Sequence, residues 1–332
     1  MSQSFEQFIG EKPNLKYSFF GGKGGVGKTI VAAGVAYYFS EMLGKKTLIS
    51  STNPVHSLSS AFNQDIWRKG IQKIDGASNL YALEIDVSET VKRYKQQIRD
   101  MILTFLKYAD IPLDPEPFID VATTNPAFEE TAMFEDMIDL IMKGEFDAYV
   151  FDTAPVAHTY RLLGMSKVYD LWLVKMVKSR EESLSTRVKL SFRREKILEE
   201  VKKDPLMANL ISTRKKTEIG RKLLVDKERS AFFFVTLPLA LPIAVIERFI
   251  GWVQAFDIPT GGIIVNGVIP RETVEVGKSS SYLVNKIQEQ EGYLQLIEKK
   301  FPGMVRAYVS LRDTEVMGTN MIAEVARSLQ EK

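Results

Sequence analysis

The sequence predicts an α/β fold, a mostly parallel, doubly wound sheet into which a helical subdomain is inserted. Three observations carry this. Apolar strand patterns alternate with helix patterns along much of the 332-residue chain, the arrangement that builds a parallel sheet. The first strand pattern runs into a glycine-rich loop and then a helix. Two long stretches, Val91–Met142 and Met165–Glu228, break the alternation and read as wholly helical.

The first strand is expected at Lys16–Phe20, followed by Gly21–Thr29, GGKGGVGKT, with the helix pattern starting at Ile30. Residues Gly22–Thr29 fit G-x-x-x-x-G-K-[ST], the phosphate-binding loop of P-loop NTPases. The backbone N–H groups of Gly22, Lys23, Gly24, Gly25, Val26 and Gly27 converge on phosphate oxygens in such a loop, helped by the helix dipole. Lys28 then reaches the β- and γ-phosphates, and Thr29 places its hydroxyl on Mg²⁺. Lys23 is additional to the general pattern. At the start of the loop its side chain cannot easily fold back onto its own nucleotide, and it suits a phosphate held by a facing subunit. The bland alternative, a solvated lysine in a glycine-rich turn, does not explain the order of strand, loop and helix.

Further strands are expected at Lys46–Ser50, Tyr81–Ile85, Ala148–Phe151, Ala231–Thr236, Gly262–Val265 and Val305–Val309. An open α/β sheet places its site beyond the carboxyl ends of its strands, and three motifs stand there. They are Ser51–Leu58 (STNPVHSL), Asp152–Thr159 (DTAPVAHT) and Asn266–Pro270 (NGVIP). Asp152, ending an apolar strand, suits the carboxylate that holds Mg²⁺ or its waters. The Asn266 amide suits the edge of an adenine ring. The expected nucleotide-binding core is 1–90, 143–164 and 229–332, with the helical subdomain at 91–142 and 165–228. Only one loop of this kind is present, so a facing nucleotide site must come from a second chain.

Composition narrows the chemistry. Without a single cysteine, a disulfide framework, thiolate zinc, an iron–sulfur cluster and a cysteine nucleophile are all excluded. The N-terminus MSQSFEQFIGEK lacks the apolar core of a signal peptide, and the longest apolar run, Ala231–Ile246, is broken by Pro238 and Pro242. A soluble, cytoplasmic protein is therefore expected. The net charge of +2 is unevenly spread, with 17 Lys+Arg against 9 Asp+Glu between Lys175 and Arg229. A solvated helical face is the plain explanation; transient attraction to a membrane surface or an acidic partner is the other. No nucleic-acid motif accompanies the charge.

The loop GGKGGVGKT and the segments STNPVHSL, DTAPVAHTYRLL and VNGVIP resemble those of the arsenical pump-driving ATPases, and by length the guided-entry targeting ATPases for tail-anchored membrane proteins. Asn125–Ala132 looks like a degenerate copy of that family's P-G-x-D-E-A motif. The resemblance runs from about Tyr17 to the C-terminus, the helical subdomain matching by layout alone. It implies a homodimer with facing ATP sites, closure driven by ATP, Lys23 acting across the dimer, and switches I and II around Asn53 and Asp152.

The departures are informative. Where the family has D-P-A-H, this chain has Asn53-Pro54-Val55-His56, and an amide cannot accept the proton of an attacking water. Asn53 is either a substitution that traps the ATP state or the mark of a naturally slow relative. Leu239 and Leu311-Arg312, which also depart from the family, favour natural divergence. The absent cysteines remove thiolate arsenite sensing and an inter-subunit zinc clamp. The only histidines, His56 and His158, fall in the switch motifs and are read as fixing those loops by hydrogen bonds.

The leading reading is an ATP-dependent homodimeric targeting factor that shields the transmembrane helices of its clients. Methionine-bearing runs at helical spacing, Met101 to Leu106, Met133 to Met142 and Leu171 to Val177, would supply the client groove. The alternative for these residues is an ordinary helical core. A partition-type positioning ATPase and a nucleotide-locked, non-hydrolysing scaffold are the competing functions.

Overall fold

The computed structural model describes residues 3–52, 56–109, 116–124, 127–152, 205–273 and 281–330, with residue 114 and single positions between 174 and 185. These residues form two compact units: Met1–Asp86 with Lys143–Tyr160 and Leu224–Lys332, and Val87–Met142 with Arg161–Leu223.

The first unit is built on eight strands: β1 (Tyr17–Gly21), β2 (Thr47–Ser51), β3 (Gln72–Lys73), β4 (Leu80–Glu84), β5 (Ala148–Asp152), β6 (Ser230–Thr236), β7 (Thr260–Val268) and β8 (Val305–Ser310). Their order in the sheet is β3-β4-β2-β5-β1-β6-β7-β8. Every pairing is parallel except β3 with β4. The central strands β1, β2, β5 and β6 are buried at every position, as expected of parallel strands covered on both faces. In β4 and β8 burial alternates along the strand, because the second face of an outer strand is only partly covered. Stacked rings lock the central register: Phe19 lies 5.2 Å from Phe151, and Phe20 lies 5.3 Å from Phe233.

The helices of this unit are α1 (Phe5–Glu11), α2 (Lys28–Tyr37) and α3 (Ser57–Phe62) before the second unit, and Ala240–Ala255, Ser281–Lys300 and Thr319–Ser328 after it. The face of α2 formed by Val31, Ala32, Val35 and Ala36 is wholly buried in the core. Its small side chains let the helix lie close over the sheet. Chain order explains the site's location. After β1 the chain builds β2, β4 and β5 to one side, then crosses to β6 on the other, so β1 lies at the switch point where open sheets hold ligands.

Two elements of this unit were not anticipated. Helix α1 is fixed by a capping box, in which Ser4 and Gln7 bond each other's backbone, a device worth about 0.5–2 kcal/mol. It also buries Phe5, Phe8 and Ile9 in the core, each roughly 1.5–3 kcal/mol. Strand β3 is two residues long and carries no periodicity to read.

The second unit contains α4 (Val87–Ala109), α5 (Glu116–Thr123), α6 (Ala127–Lys143) and α7 (Pro205–Val225). Helix α4 begins at Val87, four residues earlier than the sequence pattern suggests. Polar contacts join its helices: Thr90 Oγ1 donates to Asp136 Oδ2 at 2.6 Å, Arg93 also pairs with Asp136, and Lys216 pairs with Asp139 at 2.7 Å. Tyr94 and Phe128 pack with Ala132, their ring centroids 4.9 Å apart. Met133 and Met137 are buried, at 8% and 7% exposure. The reading of these two methionines as groove-lining is corrected: both are buried rather than open to a client. The side chain of Met101, all of Met176 and the run 171–173 lie outside the described residues. Among the described residues, no helix is long and apolar enough to cross a membrane.

Candidate functional site

The site grows from one row of residues at the carboxyl edge of the sheet. Parallel register sets Glu84 of β4 beside Ser51 of β2, Ser51 beside Asp152 of β5, and Asp152 beside Phe20 of β1. Equivalent positions on paired strands face the same way, so two carboxylates and a hydroxyl line up next to the loop that follows β1.

That loop depends on missing side chains. A Cβ at Gly22 would overlap the Val235 carbonyl oxygen of β6. Gly27 has φ +82°, and a Cβ there would collide with the Asn266 side-chain amide. The loop is thus wrapped closely against β6 and β7, and Gly27 caps α2 in the left-handed region that glycine adopts without strain. Lys28, the first residue of α2, is buried, and its Nζ donates to the Lys23 carbonyl at 3.3 Å. Burial pushes its ammonium below the ordinary lysine value, against the opposing pull of Asp152. Lys23 is partly exposed, with Nζ 3.5 Å from the Gly24 carbonyl.

Asp152 is 1% exposed. Thr29 Oγ1 donates to its Oδ2 at 2.7 Å and Ser51 Oγ at 3.0 Å, while among the described residues Oδ1 has no hydrogen-bond partner. Burial raises its pKa above the usual aspartate value, against the opposing effects of Thr29, Lys28, Ser51 and Ser57. A buried carboxylate oxygen left without a donor is the arrangement a cation or its water shell satisfies, so hydroxyl and carboxylate fit Mg²⁺ with phosphate oxygens completing the shell. Among the described residues no cluster of three or more His, Cys, Asp or Glu side chains could hold a metal without such help.

The sequence-identified residues Gly22, Lys23, Gly24, Gly25, Val26, Gly27, Lys28, Thr29, Asp152 and Asn266 all lie within or around this loop. Asn266 differs from its expected setting. Strand β7 continues to Val268, so Asn266 lies inside the strand, and its Nδ2 donates to the Val26 carbonyl at 2.9 Å. The amide braces the phosphate loop. His56 turns its ring edge-on to Trp67 with centroids 3.9 Å apart, while the loop residues 53–55 that it was expected to hold lie outside the described residues. Asn53, Pro54 and Val55 lie outside the described residues, as do the segment from Thr153 through His158 and the pair Asn125-Pro126.

Glu84 was overlooked. Its Oε1 accepts from the backbone N–H groups of Leu58 at 2.7 Å and Ser59 at 3.0 Å, and its Oε2 accepts from Ser59 Oγ at 2.7 Å. The available signal was a lone acid inside the expected strand Tyr81–Ile85; because that pattern ran on to Ile85, Glu84 did not read as a strand-ending acid as Asp152 did.

With this geometry in view, comparison with known proteins is decisive. Residues 15–331 match the anion-transporting ATPase family. The chain belongs to this family. A protein of Aquifex aeolicus (strain VF5), provisionally named arsenical pump-driving ATPase 2, is 28% identical over 95% of this chain and 99% of its own length. ATPase GET3A of Arabidopsis thaliana is 30% identical over 95% of this chain and 84% of its own. ATPase get3 of Schizosaccharomyces pombe (strain 972 / ATCC 24843) is 28% identical over 96% and 92%. The anion-transporting ATPases are an ATP-hydrolysing P-loop family, which implies ATP binding, and its members typically dimerise.

Proposed function

We propose that this anion-transporting ATPase family member is an ATP-dependent homodimeric targeting factor that shields a transmembrane helix of a client protein. The observation that carries the reading is a phosphate loop with an extra lysine in a chain that also builds a separate helical unit. That unit exposes Leu103, Met142 and Ile211 at 41%, 48% and 49%. Apolar side chains this open are candidates for a helix-accepting surface. They replace Met133 and Met137, whose burial removes them from that role.

In the proposed reaction a water oxygen attacks the γ-phosphorus of ATP. The bond from that phosphorus to the β–γ bridging oxygen breaks, one water proton passes to solvent, and ADP and phosphate leave. The loop backbone and Lys28 hold the phosphates, while Lys23 reaches those of the facing subunit. Mg²⁺, when bound by Thr29 and Asp152, neutralises phosphate charge. Asn53 cannot take the water's proton, so turnover is slower by roughly the 10²–10⁴ a general base contributes. A nucleotide-locked scaffold is the second reading, favoured by that same asparagine.

The test is co-expression with a protein bearing a single C-terminal transmembrane helix, followed by pull-down. Leu103→Ser, Met142→Ser and Ile211→Ser combined should reduce capture at least tenfold, with folding and ATP binding intact. Undiminished capture by that variant, or no capture by folded wild type, contradicts the targeting role.

A further inference from the structure

The phosphate loop is gripped from outside by a residue far along the chain. Ile264 and Asn266 of β7 are two positions apart and share one face of the strand. Ile264 belongs to the core cluster that also holds Val31 and Val35 of α2. Asn266, one step nearer the carboxyl edge, therefore stands over the start of that helix and the loop before it. Its backbone is fixed on both sides, since Val265 pairs with Thr236 of β6 and Asn266 itself with Val309 of β8. From this platform Asn266 Nδ2 donates to the carbonyl of the buried Val26 at 2.9 Å.

We propose that Asn266 is a positioning residue for phosphate binding, holding the Val26–Gly27 peptide so that the Gly27 N–H faces the phosphate, rather than a reader of the nucleotide base. The inference rests on the ATPase reading above and assigns this side chain a different part in it from the one its position in the sequence suggests. A trans peptide points its C=O and its N–H in opposite directions. With the Val26 carbonyl held towards β7, the Gly27 N–H is aimed away from that strand. It is one of the amides that the loop motif turns on phosphate oxygens. Backbone preference does not fix this peptide plane. Gly27 stands at φ +82°, and glycine takes positive and negative φ about equally well, so the peptide can turn over at little cost. Turned over, it sets a carbonyl oxygen against a phosphate oxygen, a repulsion in place of a hydrogen bond. The bond from Asn266 selects between the two orientations. Loop and amide are fitted to each other, because a Cβ at Gly27 would collide with the Asn266 side chain. A donor set on a strand paired on both sides holds such a geometry more closely than one on a loop. Losing one hydrogen bond to a charged phosphate weakens binding by about tenfold or more.

The experiment displaces a fluorescent ATP analogue from the full chain with Mg·ATP, Mg·GTP and Mg·tripolyphosphate, the last having no base at all, with thermal melts for folding. Asn266→Asp, nearly the same in shape but without a donor once ionised, should bind all three at least tenfold more weakly than wild type, and by the same factor. As pH falls from 8 to 5 that deficit should shrink to within about threefold, because a protonated carboxyl group regains a donor. Asn266→Ala should show the same uniform loss without the recovery at low pH, and it carries the test if Asn266→Asp melts below the assay temperature. A loss confined to ATP assigns Asn266 to the base and overturns the proposal, as does wild-type affinity in the folded variants. Wild-type protein from which ATP alone displaces the analogue overturns it too. Wild-type protein that binds neither the analogue nor ATP contradicts the ATPase reading instead.

Discussion

A carboxylate sealed in the centre of a parallel sheet loses its water, and nearby hydroxyls restore only part of that loss. Asp152 is in this position, with its pKa raised chiefly by burial. Because the folded value lies above the ordinary 3.8, its contribution to stability is present below that ordinary value. It is lost as pH rises through the folded value. Above that ordinary value the buried, unliganded carboxyl group therefore costs the fold stability, and a bound cation relieves the cost. Asp152→Asn should melt at a higher temperature than wild type at pH 7.5 without nucleotide, the difference closing as pH falls toward 4. The same variant should gain less stability from Mg·ATP. A variant less stable than wild type at pH 7.5, yet equally stabilised by Mg·ATP, would refute this role. Asp152 and the loop could be read from the sequence because each is a local pattern, a strand ended by an acid or glycines at fixed spacing. The brace from Asn266 to Val26 could not, since it joins residues 240 positions apart.

Among the elements, the central strands were legible as continuous apolar runs, while α1 owes its position to three apolar side chains and a cap that a longer pattern would have made visible. In the helical unit the ambiguity was of another kind. Periodicity marks an apolar face but not what covers it, so Met133 and Met137 read equally as groove or core until α6 was seen packed. The same helix holds Glu135, whose pKa burial pushes up to about 7. Lys216 of α7 and a hydrogen bond with Tyr94 of α4 lower it, while Asp139 and Asp136 of its own helix raise it. From an ordinary value of 4.5, its stabilising contribution is present below about pH 4.5 and lost as pH rises through about 7. Glu135→Gln should therefore stabilise the helices at pH 8 and match wild type near pH 4.5, as followed by thermal melts in far-UV circular dichroism. An equal difference at both pH values would rule out titration of Glu135 as the cause.

For the whole molecule, the chain order that sets β1 between β5 and β6 makes a nucleotide site at the switch point, and a second compact unit accompanies it. What ATP can do to such a protein is limited by how differently it binds two states. The extra lysine supplies such a difference if its charge meets phosphate only when two chains close together. Sedimentation velocity of the wild type and Lys23→Ala, each with and without Mg·ATP, tests this most directly. The expected result is that Mg·ATP shifts the wild type from the mass of one chain to that of two, while Lys23→Ala binds the nucleotide but stays largely monomeric. Equal ATP-driven association of the two proteins, or no nucleotide dependence in either, would contradict a lysine that works across the dimer.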